Sequence, residues 1–205
     1  MERARLLSRA NPGAPAAWLV LGDALDAAGR TREAVRAYEA GAKIGNSREA
    51  ALRLAAAWRK LGDPGQSARI VSAFLAQNPN DVEAMRLSAA QAMQRSDWRG
   101  ALRLLRGVQA RIGSNDALLM TDLARAALET GDLPAARSYA AHAYRLLPGS
   151  PVTADAYGWV LLANGERQPA IDLLEKAVAL APAHPVLRAH LAQAYAAKGA
   201  KLAAR

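Results

Sequence analysis

His142, His184 and His190 are the residues of this chain best suited to acid–base or metal chemistry, and their placement supports neither. One falls in a stretch that reads as the second helix of a helix pair, one in a loop and one in a first helix. No pair has metal-ligand spacing. No glycine-rich loop follows a strand to cradle a phosphate, and no strained strand-to-helix turn presents a nucleophile. Cysteine is absent, which removes thiolate chemistry and disulfides together. We therefore expect no catalytic residue, no bound metal and no cofactor. What remains is charge and aromatic surface. Lys and Arg number 27 against 18 Asp and Glu, for a formal net charge of +9. Such a balance fits an acidic polymer, either polysaccharide or nucleic acid. It fits better a solvated helical surface, because the charge is spread along the whole chain in runs of no more than two or three residues.

The elements that carry these residues repeat. A glycine series runs Gly29, Gly62, Ser96 (a substitution), Gly131, Gly165, Gly199, and a small-residue series runs Ala34, Ser67, Ala101, Ala136, Ala170, Ala204. Both step by 33, 34, 35, 34 and 34 residues. A period of this length marks stacked supersecondary units, each burying its face against its neighbours. Hydrophobic residues make up 52% of the chain, dominated by Ala and Leu with one Phe. That composition favours closely packed helices, and no period-2 β-branched run argues for strands. Each unit holds two helical stretches of about 14 residues, marginal alone and stable only when packed. The glycine supplies the left-handed residue that ends the first helix. An acidic residue after it, as in Gly62-Asp63-Pro64 and Gly131-Asp132-Leu133-Pro134, can cap the second, with Pro in its first turn. Where Ser96 replaces the glycine, and Gly113 takes the usual Pro place, a looser turn is expected.

The unit resembles the tetratricopeptide repeat. It reads Trp18-x2-Leu21-Gly22-x2-Leu25, then Gly29, Ala34 and Tyr38, and terminal prolines stand at Pro12, Pro79, Pro148 and Pro182. The resemblance covers essentially the whole chain. Full repeats fall at 15–47, 48–81, 82–116, 117–150 and 151–184, as one array segment. Residues 1–14 read as the second helix of a preceding repeat, and 185–205 as a truncated repeat that stops at Ala204-Arg205 just inside a second helix. No polar capping helix is visible, so we expect a segment of a longer array, with self-association through its ends open. The implied fold class is all-α, a right-handed superhelical solenoid of antiparallel helix pairs.

In that family the first helices line a concave groove. The resemblance places Asp23, Asp26, Arg53, Arg59, Lys60, Arg86, Asp122, Arg125, Glu129, Asp155, Trp159, His190 and Gln193 among its polar or large positions. From these we take Arg53, Arg59, Arg86, Asp122, Arg125, Asp155, Trp159 and Gln193 as the partner-binding set. Trp18, Trp58 and Trp98 occupy places where an aromatic packs. Trp159 sits where packing does not demand one, so it reads either as a binding hot spot or as a side chain packed on the next repeat's first helix. A subclass of these repeats clamps a terminal carboxylate with Lys and Asn. Here Leu19, Asp23, Arg53, Glu83 and Leu87 stand at those places, so that clamp is absent.

Leu118–Leu174 carries a narrower resemblance. Asp122-Leu123-Ala124, Ala143-Tyr144-x2-Leu147-Pro148 and Asp155-Ala156-Tyr157-Gly158-Trp159 are similar to stretches of bacterial tetratricopeptide lipoproteins of exosortase/PEP-CTERM exopolysaccharide systems. The chain departs from them at Thr121-Asp122, Ala126 and Ala156-Tyr157. The resemblance implies a cell-envelope or periplasmic location and a role in polysaccharide assembly or export, with a cytoplasmic location as the alternative. No apolar stretch approaches the roughly 18–20 residues that span a membrane, and Met1–Leu7 does not form a signal peptide. Three functions follow: a non-enzymatic scaffold receiving a protein or peptide in the groove, a binder of acidic polymer through Arg53, Arg59, Arg86 and Arg125, and a structural spacer.

Overall fold

The computed structural model describes the backbone of residues 1–203 and the side chains of residues 1–199. Twelve helices and no strand occur among the described residues. They are α1 (Glu2–Ala10), α2 (Pro15–Ala27), α3 (Thr31–Ile44), α4 (Arg48–Lys60), α5 (Pro64–Gln77), α6 (Val82–Gln94), α7 (Trp98–Ile112), α8 (Ala117–Glu129), α9 (Leu133–Leu146), α10 (Pro151–Ala163), α11 (Arg167–Leu180) and α12 (Pro185–Ala203). The chain divides into two compact units, Met1–Gln91 and the remainder from Ala92.

One turn chemistry ends the first helix of each pair. Gly29, Gly62, Gly131 and Gly165 have φ of 75°, 84°, 82° and 79°. In each turn the next N–H reaches back to the helix, as Asp63 does to the Trp58 carbonyl at 3.0 Å and Asp132 to the Ala127 carbonyl at 2.9 Å. These bonds satisfy carbonyls that the helix end would otherwise leave orphaned. Ser96 corrects the expectation of a looser turn. Its φ is 59°, and its turn closes with the same bonds, Ser96 N–H to Met93 at 3.0 Å and Asp97 N–H to Ala92 at 2.9 Å. The backbone bonds and the Asp97 cap set the geometry. The serine adopts it at a cost of about 1 kcal/mol from its Cβ.

Three second helices, α5, α7 and α9, are then capped by the aspartate before them, while α3, preceded by Arg30, has no side-chain cap. Asp63, Asp97 and Asp132 accept from the N–H groups of Gln66, Gly100 and Ala135 at 2.7, 2.9 and 3.2 Å. Glu166 departs from this pattern. It makes no capping bond and instead accepts two hydrogen bonds from Arg137 at 3.0 and 3.1 Å. The longer glutamate stem reaches a neighbouring helix rather than its own first turn.

In the first unit α1 packs on α2, α2 on α3, α3 on α4 and α4 on α5. Leu19, Leu25, Val35, Tyr38 and Leu54 form its main core, with Trp18 and Trp58 packed against it. Gly22 is required there, because a Cβ at this position would overlap the Tyr38 ring. Ser67, the polar member of the small-residue series, is buried and accepts from Gln91 Nε2 at 2.9 Å.

In the second unit consecutive helices from α7 to α12 pack in chain order, and α8, α10 and α12 also touch as alternate neighbours. This is the order of a solenoid. α8 is its most deeply buried helix, with Leu119, Met120, Leu123, Ala124, Ala126 and Ala127 almost wholly covered. Ala101, Ala136 and Ala170 are fully buried, which lets paired helices approach closely. Ala204, the last of that series, lies outside the described residues, as does the stop expected at Ala204-Arg205. Gly199 does not end a helix, because α12 runs through it to Ala203.

Candidate functional site

A cleft of about 390 Å³ opens in the second unit along α8, α10 and α12. Helical spacing explains its walls. α8 contributes Thr121, Asp122, Arg125, Leu128 and Glu129, and α10 contributes Val152, Asp155, Ala156, Trp159 and Val160. In both helices these stand three or four residues apart along one face. α12 adds Val186 and His190. At the centre the His190 ring stacks on Trp159, with centroids 4.1 Å apart and planes at 19°. His190 Nδ1 sits 2.8 and 3.0 Å from the two carboxylate oxygens of Asp155. Both partners are largely covered, with side chains 21% and 15% exposed. Asp155 thus holds the imidazole flat against the indole, and the two rings form one fixed plate. Arg125 lies over the Trp98 ring, 5.3 Å from its centroid, in a cation–π contact. Val152 and Val186 stand about half exposed at the cleft wall.

The first unit carries a second recess, of about 570 Å³, lined by Asp23, Asp26, Tyr38, Arg53, Ala56, Ala57, Arg59 and Lys60. Its charges answer one another. Asp23 Oδ1 accepts from Tyr38 at 2.9 Å and from Arg53 at 3.0 Å. Asp26 Oδ1 accepts from Thr31 at 2.7 Å and from Lys60 at 2.9 Å. The Thr31 hydroxyl and the Lys60 ammonium hold the Asp26 carboxyl below its ordinary range. Burial, together with the Asp23 carboxylate, pushes the Tyr38 phenol well up.

The residues read from sequence as the binding set fall in both units, and within each unit the structure gathers some of them. Asp122, Arg125, Asp155 and Trp159 converge on the cleft of the second unit. Arg53 and Arg59 line the recess of the first. Arg86 is half-buried on α6 and Gln193 is exposed on α12, and neither lines either cavity. His190 was placed at a groove position by sequence but outside the binding set, and it proves to be the partner of both Asp155 and Trp159. A signal existed: Asp155 and His190 are 35 residues apart, one repeat period. Tyr38 read as a residue of the repeat motif and Trp98 as a packing aromatic, yet each also holds a charged residue, Asp23 and Arg125. Of the other tryptophans, Trp18 donates from Nε1 to the Pro12 carbonyl at 2.9 Å. Trp58 Nε1 is buried without an acceptor.

Among the described residues no group of three or more His, Asp or Glu side chains could hold a metal ion. No helix among them is long and apolar enough to cross a membrane.

The tetratricopeptide repeat family model matches residues 3–49 and 89–151, more than half of the 205 residues. The chain belongs to the tetratricopeptide repeat family. Arrays of this family are scaffolds for protein–protein interaction and are generally non-catalytic. Solved structures agree on the fold. YrrB, described as a TPR protein with an unusual peptide-binding site, matches with a TM-score of 0.76 at 15% identity, over 93% of this chain and 97% of its own. MamA from Desulfovibrio magneticus RS-1 matches with a TM-score of 0.73 at 19% identity, over 83% of this chain and 97% of its own. A chain of the APC/C hetero-tetramer Cut9–Hcn1 gives 0.71 at 18% identity, over 94% of this chain. This tetratricopeptide array spans 39% of that longer chain. At such identities the likeness speaks for the fold alone. No curated protein sequence matches the array.

Proposed function

We propose that the array is a non-enzymatic scaffold that receives an extended or helical segment of a protein partner in the cleft of α8, α10 and α12. The observation that carries this reading is the Trp159–His190 plate, fixed by Asp155 and set among Val152, Val160 and Val186. A half-buried aromatic in an apolar-walled cleft is the usual centre of an interface hot spot. The plate is already ordered, so a ligand that covers it meets little reorganisation cost. The peptide-binding site named for YrrB supports the reading by likeness of fold.

The resemblance of Leu118–Leu174 to lipoproteins of exosortase/PEP-CTERM systems supports a cell-envelope setting and a part in exopolysaccharide assembly or export, with the cytoplasm as the alternative. Binding of an acidic polymer through Arg53, Arg59, Arg86 and Arg125 has less support. Arg53 is committed to Asp23 and Arg125 to the Trp98 face.

The test is affinity capture from envelope and cytosolic fractions at low and high salt. Wild type is compared with a Trp159→Ala, Arg125→Ala double variant whose fold is checked by circular dichroism. The captured protein's contact segment is then titrated as a synthetic peptide. Under this reading the segment binds at both salts, and Trp159→Ala alone weakens it about 30-fold or more, the loss expected of a hot spot of at least about 2 kcal/mol. Binding untouched by the double variant sinks the reading. Capture of salt-sensitive polymer alone, with affinity falling by orders of magnitude over a modest salt increase, moves it to the polymer alternative.

A further inference from the structure

The array carries a net charge of +9, yet its apolar-walled cleft is acidic. Three carboxylates line it, from Asp122, Glu129 and Asp155, beside one guanidinium, from Arg125, and of the three Asp122 and Asp155 already have partners. That guanidinium lies over Trp98, a ring outside the cleft lining. The imidazole at the centre is bound to Asp155 and lies flat on the indole. Glu129, in contrast, is exposed at the end of α8 and makes no ion pair with any described residue. It lines both the cleft and the adjoining recess beside Trp98. Arg99 lines that recess too, and Asp97 there accepts the Gly100 N–H. Glu129 is therefore a negative charge placed at the rim of an apolar pocket with its own pairing unmet.

We infer that the cleft selects a segment in which an aliphatic or aromatic side chain, seated on the Trp159–His190 plate, neighbours a lysine or arginine that meets Glu129. This deepens the scaffold reading and rests on it. The direction runs against the overall charge of the molecule. The basic surface as a whole attracts acidic partners at long range, while the cleft repels them at contact, since like charges brought together at an interface oppose binding. A site of this kind excludes the acidic chains that the rest of the surface gathers, which is a means of specificity as well as affinity.

The test is selection from a phage-displayed library of random dodecapeptides on the whole chain, followed by titration of the selected peptides as free synthetic probes. Four proteins are compared: wild type, Glu129→Gln, Glu129→Lys and Trp159→Ala. The inference expects enrichment of Lys or Arg beside Leu, Ile, Phe or Trp. It expects affinity to fall severalfold for Glu129→Gln and about tenfold or more for Glu129→Lys, with an acidic analogue of the same peptide gaining on Glu129→Lys. Glu129 is exposed at a helix end, so neither replacement threatens folding. Enrichment of acidic peptides that depend on Trp159 overturns the charge inference and leaves the scaffold reading standing. Selected peptides that bind Trp159→Ala as well as wild type overturn the scaffold reading, and the inference falls with it. Failure to select any peptide above the Trp159→Ala background has that same consequence.

Discussion

The two cavities occupy corresponding groove positions in different repeats, and they differ in how their polar groups are spent. In the first unit Asp23 and Asp26 each accept two hydrogen bonds, one from a hydroxyl and one from a cation. A ligand entering there must break those bonds before making its own, so its net gain is small. The recess has little apolar surface to offer beyond Ala56, Ala57 and the Tyr38 ring. In the second unit one carboxylate is used to fix a histidine on a tryptophan, and the apolar walls remain open. Burial of that surface would favour binding at roughly 25 cal/mol per Å². Counting arginines along the groove misses this contrast. What separates a binding surface from a stabilising one is whether each charge already has its partner.

The strongest way to break the contrast is to disturb the pairing in the first unit from behind. Gly22 stands beneath Tyr38, and Gly158 takes the corresponding place in the repeat that carries Trp159. An alanine Cβ at Gly22 would overlap the Tyr38 ring, which is rigid and 4% exposed. The ring must shift and release Asp23. We expect Gly22→Ala to destabilise by about 2 kcal/mol in urea titration, an overpacking cost only partly offset by better helix propensity. At Gly158 the new Cβ would fall 2.8 Å from Leu174 Cγ and 3.1 Å from the Ala170 carbonyl. Leu174 is fully buried and the Ala170 carbonyl is backbone, so neither gives way freely, and Gly158→Ala should also cost about 2 kcal/mol. If Gly22→Ala were neutral, the Tyr38–Asp23 contact would not be holding the first recess in its paired state.

A smaller change sharpens the contrast by stabilising the second unit without touching its cleft. Ser96 holds a left-handed backbone that glycine adopts freely. Ser96→Gly should therefore stabilise by about 1 kcal/mol, read as a raised urea midpoint, with peptide affinity unchanged. A shift in affinity would show that the turn before Trp98 reaches the cleft through Arg125.

These two sites also mark how far the sequence was legible. Helix pairs could be read because their causes are local and recur: a turn glycine, an acidic cap, a buried small residue. Fold class followed from those causes. Two local details did not. The turn at Ser96 keeps the geometry of the glycine turns, because backbone bonds and the Asp97 cap outweigh one Cβ. Gly199 was read as a stop, yet α12 continues through it. The candidate site was legible only as a set of positions. Repeat register says which side chains face a groove. It does not say that Asp155 reaches His190 35 residues on, or that Asp23 is taken by Arg53 30 residues on. Those are rotamer-level choices between neighbouring repeats, with no signature along the chain.

The smallest expected effect tests whether the paired charges of the first unit act on stability. Thr31 and Lys60 hold the Asp26 carboxyl below its ordinary range in the folded chain. In the unfolded chain the group returns to a value near 4. A carboxyl lowered by folding contributes stability above its unfolded value, and that contribution is lost as pH falls through the lower folded value. Wild type should thus lose stability as pH falls below about 4, partly through Asp26. Asp26→Asn removes the charge but leaves an amide oxygen for Thr31. It should be less stable than wild type at pH 7 by on the order of 0.5 kcal/mol, since the Lys60 side chain is 53% exposed and solvent screens the pair. The difference should shrink toward zero on acidification, because wild type then carries no charge there either. Urea midpoints of both proteins at pH 7, 4 and 2.5 measure this directly. A gap that stays constant with pH would mean that Asp26 acts by packing alone, and the first recess would then need another explanation for its arrangement of charges.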